Sequence, residues 1–248
     1  MRLKDKVALV TGAASGFGEG IARRFCDEGA SVIVADISKE AGEAVAQSLK
    51  RGTFTACDVS KSADVAAAVA LAEEAYGGLD ILVNNAGITH VNGPMLEVGE
   101  EEFDRIYAVN VKGIYLGAMH GVPALKRRGS GVILNIASTA AIRPRAGLTW
   151  YNGSKGAAVT LTKSKAIELA PDQIRVCAIN PVIGETALLT SFMGGPDTPE
   201  LREAFVAGIP LGRMSRPDDI ANAALFLCSA EAEFITGVCL EVDGGRVI

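Results

Sequence analysis

A chain of 248 residues, 49% hydrophobic and 21% charged, has the composition of a folded α/β-sized domain with a large core, which excludes a disordered chain. Its net charge of −5, with no basic run longer than Lys126-Arg127-Arg128, excludes the electrostatic footprint of a nucleic-acid binder. No stretch approaches a membrane-spanning apolar run, and two histidines with five scattered cysteines and no C-x-x-C form no metal-ligand pattern. The odd cysteine count, mostly among apolar neighbours, fits free thiols in a reducing compartment, so a cytoplasmic protein is expected.

No apolar leader of signal-peptide length opens the chain; strand and turn signals begin at once. A strand is predicted over 7–10, then the turn TGAASGFG, then an amphipathic helix over 16–29. Gly12, Gly16 and Gly18 there permit a sharp turn, close approach of a pyrophosphate and tight helix packing, although the spacing is G-x-x-x-G-x-G rather than the usual dinucleotide fingerprint. An ordinary strand-to-helix turn is the plainer reading. A second strand over 32–35 ends at Asp36, placed to accept from both ribose hydroxyls of NAD and to repel the 2′-phosphate of NADP. With Ser at 15 and no cation after Asp36 before Lys39, the turn lacks a phosphate clamp, which favours NAD over NADP. Asp36 could instead cap the next helix, a role open to Ser38.

Further strands are predicted over 53–57, 81–83, 131–137, 175–179 and 238–242. Helical patterns cover 39–50, 63–76, 100–128, 151–170 and 218–229. Most strand runs are continuously apolar, as in a parallel sheet covered on both faces. The expected fold is therefore α/β: one Rossmann-type doubly wound parallel sheet of about seven strands, a single domain over 1–248. The exception to this regularity is 184–210, which holds Gly194-Gly195-Pro196 and Pro199 and reads as a long loop. A loop of that length is expected to act as a substrate lid, with a mobile surface excursion as the alternative.

Tyr151 and Lys155 stand four residues apart at the start of the helix over 151–170, hence on one helix face. A phenol with a pKa of about 10 is a poor base at neutral pH, and a nearby cation favours its ionised form. The pair could serve as an acid/base; a ring packed over a lysine stem is the bland alternative.

In order along the chain, TGAASGFG (11–18), Asp58-Val59, NNAG (84–87), Asn110, Ser138, YNGSK (151–155), NP (180–181) and VDGG (242–245) resemble the short-chain dehydrogenase/reductase family over essentially the whole length. The resemblance implies that Tyr151 is the general acid/base, that Ser138 holds the substrate oxygen, and that Lys155 lowers the Tyr151 pKa and holds the nicotinamide ribose. It also implies that Asn110 holds a water linking Lys155 to solvent. For the cofactor it implies contacts from Gly12, Ser15, Gly16, Phe17 and Gly18 in the turn, Asp36 and Ile37 after the second strand, and Asp58 and Val59 at the adenine. Asn85, Ala86 and Gly87 would pass the adenosine ribose, with Tyr151, Lys155, Pro181, Ile183 and Thr186 at the nicotinamide end, while Asn84 would tie neighbouring strands. Two departures stand out: Val182 where the family most often has Gly, and Phe17 where it has Ile.

Substrate contacts are expected from His90, Arg145, Leu148 and Trp150. Arg143 and Arg145 are able to recognise a carboxylate or other anion, or to be surface charges. The segments over 100–128 and 151–170 are apolar beyond one face, and the resemblance implies that they pair across two-fold axes, with 218–248 as a second contact, in a homotetramer. The expected activity is hydride transfer between NAD(H) and a secondary alcohol/ketone couple. One alternative is an NADPH-dependent 3-oxoacyl thioester reductase. Another, of a different class, is a non-catalytic dinucleotide-binding regulatory protein, which should have lost one of Asn110, Ser138, Tyr151 or Lys155.

Overall fold

Seven strands alternate with helices in the computed structural model, which describes residues 1–248. They are β1 (Val7–Thr11), β2 (Ser31–Asp36), β3 (Gly52–Ala56), β4 (Ile81–Asn84), β5 (Gly131–Ile136), β6 (Ile174–Pro181) and β7 (Cys239–Val242). All pair in parallel, in the order β3-β2-β1-β4-β5-β6-β7. Parallel pairing demands a crossover after each strand, and the intervening helices supply it. The sequence-predicted sheet is thus present, with boundaries shifted by a residue or two.

Successive strand residues serve opposite faces. Ala8 and Val10 join Val32, Val34, Ile81 and Val83 beneath α1 (Gly16–Asp27), α2 (Lys39–Ser48) and α9 (Pro217–Cys228). Val7 and Leu9 join Ile33, Leu82 and Ile133 beneath α3 (Ser62–Tyr76), α5 (Gly113–Arg127) and α6 (Thr149–Leu169). Two cores share one sheet, so the central strands have no solvent face, and this is why their sequences run apolar without alternation. Each fully buried Val, Leu or Ile contributes about 1.5–3 kcal/mol of transfer free energy.

Two expectations need correction. The helical region over 100–128 is not one helix: α4 (Glu100–Tyr107) passes through a π turn at Ala108–Lys112 into α5. Asn110 lies in the middle of that turn, drawn into bonds outside the helix, and single π turns of this kind accompany functional sites. Nor is 184–210 merely a loop: it contains α7 (Leu189–Met193) and α8 (Pro199–Val206). Thr198 caps α8 by accepting from the Leu201 amide at 3.3 Å, and Pro199 occupies the first helical turn, where its missing N–H costs nothing.

The chain lays β1, β2 and β3 outward in one direction and then returns to place β4 on the other side of β1. A crevice opens where the order reverses, beyond the carboxyl ends of β1 and β4. No helix is long and apolar enough to cross a membrane.

Candidate active site

At that crevice lies a cavity of about 600 Å³, running from the turn after β1 to the segment before α6. Its floor is the β1–α1 turn. Gly12 takes a φ of +63° and sits so close to Ala86 that a Cβ would come within 2.8 Å of the Ala86 Cα. A Cβ on Gly18 would enter the Gly12 carbonyl and the Asn85 amide, so Gly18 lies beneath the turn and supports it without lining the cavity. Ser15 is the N-cap of α1 but makes no side-chain cap bond, which leaves its hydroxyl and the first-turn N–H groups facing the cavity. Those groups and the positive end of the helix dipole suit a pyrophosphate.

Asp36 ends β2 and its carboxylate is locked by two backbone donors, the amides of Ala14 and Ser38, each at 2.9 Å. One bond ties the glycine turn to the second strand, each oxygen keeps a second lone pair, and Asp36 lines the cavity. Ile37 lies beside it, exposed at the cavity mouth. Asp58 accepts from the Ser60 hydroxyl at 2.7 Å, which with the Ser60 amide and Lys61 holds its carboxyl below the usual range. Val59 lines the wall next to it.

Asn85, Ala86 and Gly87 line the cavity as one stretch, and Asn85 has its side chain turned into the turn. Its amide is committed to the Thr11 and Gly12 carbonyls at 2.8 and 3.0 Å, so it presents backbone to the cavity. Thr11, which the sequence reading did not single out, accepts from the Asn85 and Ala86 amides at 3.0 and 3.1 Å. Asn84 does tie strands together: it donates to Asn135 at 2.8 Å, and Asn135 passes the chain to Thr162 of α6 at 2.8 Å. This buried polar link fixes α6, and with it Tyr151, to the sheet.

Tyr151, Lys155 and Ser138 meet at the far end of the cavity. The Lys155 ammonium donates to the Ile136 carbonyl at 2.8 Å and lies 5.8 Å from the Tyr151 ring centroid. Burial pushes the Tyr151 phenol up to about 12, while a hydrogen bond with Ser138 pulls it down in part. Burial draws Lys155 down to about 8. The resemblance implies that Lys155 depresses the phenol; the phenol itself is held above its usual value because burial outweighs the bond with Ser138.

Asn110 sits behind the cavity. It accepts from the Ile88 amide at 2.9 Å and donates to the Ile88 carbonyl at 2.8 Å and the Ser154 hydroxyl at 2.9 Å. These bonds clamp the Gly87–Ile88 strand exit against α6. Pro181, Ile183, Thr186 and Leu148 line the cavity with Arg143 and Arg145. His90 does not: its ring is buried and pairs with the Val91 carbonyl at 2.9 Å. Trp150 is likewise turned away, donating to the Met95 carbonyl at 3.1 Å against Phe103. Both were expected at the substrate, and both are held by local packing. The structure adds Phe192 from α7, edge-on to Tyr151 at 5.2 Å, Phe205 from α8, and Arg246 from the carboxyl end. Only the phenylalanines gave a sequence signal, as apolar residues inside an otherwise broken segment.

A dinucleotide-sized crevice ending in a Ser–Tyr–Lys cluster matches known proteins closely. The family model described as "Enoyl-(Acyl carrier protein) reductase" matches residues 12–246. A solved "short-chain type dehydrogenase/reductase" from Mycobacterium marinum superposes with a TM-score of 0.90 at 35% identity, covering 98% of this chain and 96% of that one. This chain belongs to the short-chain dehydrogenase/reductase family. Among other members, the 4-formylbenzenesulfonate dehydrogenase TsaC1/TsaC2 of Comamonas testosteroni is 52% identical over the full length of both chains. The structure of a 3-ketoacyl-(acyl-carrier-protein) reductase from Brucella melitensis, complexed with NADH, is also 52% identical, with a TM-score of 0.94, covering 99% of this chain and 100% of that one. As a short-chain dehydrogenase/reductase the chain is an oxidoreductase that uses a nicotinamide dinucleotide and a small-molecule substrate. The open N–H groups of α1 and the aimed Asp36 carboxylate fit such a cofactor.

Proposed function

We propose that the protein interconverts a secondary alcohol and a ketone with NAD(H) as hydride partner. The observation that carries this reading is the convergence of Ser138, Tyr151 and Lys155 on one end of a cavity whose other end holds Asp36. When bound, the nicotinamide supplies the hydride acceptor or donor. In the oxidising direction Tyr151 Oη takes the alcohol proton; in the reducing direction it returns that proton to the carbonyl oxygen. The Ser138 hydroxyl holds the same oxygen as charge develops on it. Lys155 orients the nicotinamide ribose and offsets charge on the phenol. Asn110 positions the segment beside Lys155 through its bonds to Ile88 and Ser154, and the family's role for it is to hold a water linking Lys155 to solvent.

NAD is favoured over NADP because the Asp36 carboxylate, fixed by two amides, would meet a 2′-phosphate with like charge. Titrating NADH and NADPH separately by nicotinamide fluorescence tests this. NADH binding about a hundredfold tighter is expected; equal or tighter NADPH binding overturns the assignment of Asp36. Reduction of a 3-oxoacyl thioester is the second reading, supported by the name of the Brucella melitensis relative.

The segment with α7 and α8 serves as the lid, since it brings Phe192 against Tyr151 and Phe205 into the same cavity. A homotetramer in the cytoplasm completes the proposal. Tyr115 and Met119 of α5, Ile167 of α6, and Phe234 after α9 are all exposed, so the helices expected to pair carry apolar groups with no partner in the monomer.

A further inference from the structure

Besides Lys155 and Arg105, which is paired with Glu102, the cavity carries charge in two groups. Its only acidic lining residues, Asp36 and Asp58, stand at the ends of β2 and β3. At the opposite end Arg143, Arg145 and Arg246 line the wall, and none of the three forms an ion pair anywhere in the structure. Other arginines that structure the surface do find carboxylates, as Arg202 does with Asp197 and Arg213 with Asp219. Arg143 is exposed, but Arg145 and Arg246 are half-buried. Half-buried guanidiniums without a counter-charge cost free energy, and burial together with Arg246 lowers the Arg145 pKa. Such an arrangement persists where an anion arrives to complete it.

The local structure aims these groups. Arg145 lies over the Phe205 ring at 4.1 Å, which fixes the plane of its guanidinium. Arg246 follows a tight turn in which the Asp243 carboxylate accepts from the Gly245 and Val247 amides, each at 2.9 Å, and Gly245 takes a φ of +88°. Arg143 donates to the Arg246 carbonyl at 2.7 Å, so it braces the turn and leaves Arg145 and Arg246 as the free forks. Between these forks and Tyr151 the wall is apolar: Leu148, Ala140 and Phe192.

We infer that the substrate is an apolar-bodied organic anion, a carboxylate or sulfonate, whose charged end is held by Arg145 and Arg246 while its carbinol or carbonyl carbon lies at Tyr151. The inference rests on the proposed oxidoreductase function, since it names the substrate of that site. Guanidinium forks match planar or trigonal oxyanions with paired hydrogen bonds, and their low desolvation cost suits a half-closed cavity.

The test is calorimetric titration of the protein loaded with NAD+, which cannot reduce a ketone, with 4-acetylbenzoate and, separately, with its neutral methyl ester. The acid is expected to bind about tenfold or more tightly than the ester. Arg145→Ala and Arg246→Ala should each collapse that ratio toward one, Arg145→Lys should retain part of it, and the Kd for NADH should stay the same. Thermal melts of each variant establish folding. Equal binding of acid and ester, a preference that survives both alanine variants, or parallel loss of NADH affinity overturns the inference. Turnover distinguishes the underlying reading. An acid preference without NADH oxidation by any carbonyl probe keeps the anion site and sinks the dehydrogenase, whereas ester turnover without an acid preference does the reverse.

Discussion

In the proposed reaction Tyr151 is the proton carrier, and its phenol is buried, bonded by Ser138 and set beside an ammonium. Tyr151→Phe keeps the ring packed against Phe192 and removes only the proton carrier. Turnover should fall about a thousandfold with little change in the Kd for NADH, measured by steady-state kinetics and fluorescence. Because burial holds the phenol at about 12, it is protonated at neutral pH. Ketone reduction should therefore be flat through neutral pH, while alcohol oxidation, which needs the ionised phenol, should rise with pH by up to about tenfold per unit; a pH profile of both directions checks this. The sequence made Tyr151 and Lys155 visible through helix spacing. It did not show that burial would raise the phenol, since desolvation depends on what lies above the helix.

The β1–α1 turn and the π turn do for the elements what Tyr151 does at the atomic scale. Gly18→Ala should displace the Gly12 carbonyl and the Asn85 amide, at a cost of about 1–3 kcal/mol by urea unfolding and with weaker NADH binding. At the π turn, Asn110→Ala orphans both backbone groups of Ile88 and one bond of Ser154. A loss of about 3 kcal/mol is expected, again by urea unfolding, with kcat reduced more than KM because Ile88 and Lys155 are repositioned together. The glycine turn was legible because positive φ and close approach leave few residue types to choose from. The break in the 100–128 helix was not, because the bonds that open it come from Ile88 and Ser154, distant in sequence. For α8 the signal was present in Thr198-Pro199, a cap followed by a first-turn proline, and the surrounding glycines obscured it.

Across the whole molecule, the two-core sheet sets the crevice and the pH response. Burial lowers Lys155 from 10.5 to about 8, so between those values the unfolded chain holds a proton that the folded chain has released. This group's contribution to stability therefore rises as pH increases from about 8 to about 10.5, and is a constant penalty below that window. Lys165, also drawn down to about 8 by burial, adds to the same slope. Denaturation midpoints measured across the window should rise, less steeply in Lys155→Met. The proposed assembly is tested by sedimentation: the native chain should run as a tetramer, and Ile167→Asp, which charges an 81% exposed apolar residue on α6, should shift it to smaller species.

By itself the sequence determined the parallel sheet, the nucleotide end of the crevice and the Tyr151–Lys155 pair. These depend on local periodicity and on residue types that few conformations accept: apolar runs, glycines in the turn, a phenol and an ammonium one helical turn apart. Tertiary structure alone decided which side chains line the cavity. His90 and Trp150, near the site in sequence, are turned away by bonds to Val91 and Met95. Arg246, about a hundred residues from Arg145, is brought opposite it by a turn at the end of the chain. Side-chain direction in loops follows from whichever backbone group is left to be bonded, and that is fixed only when the elements have packed.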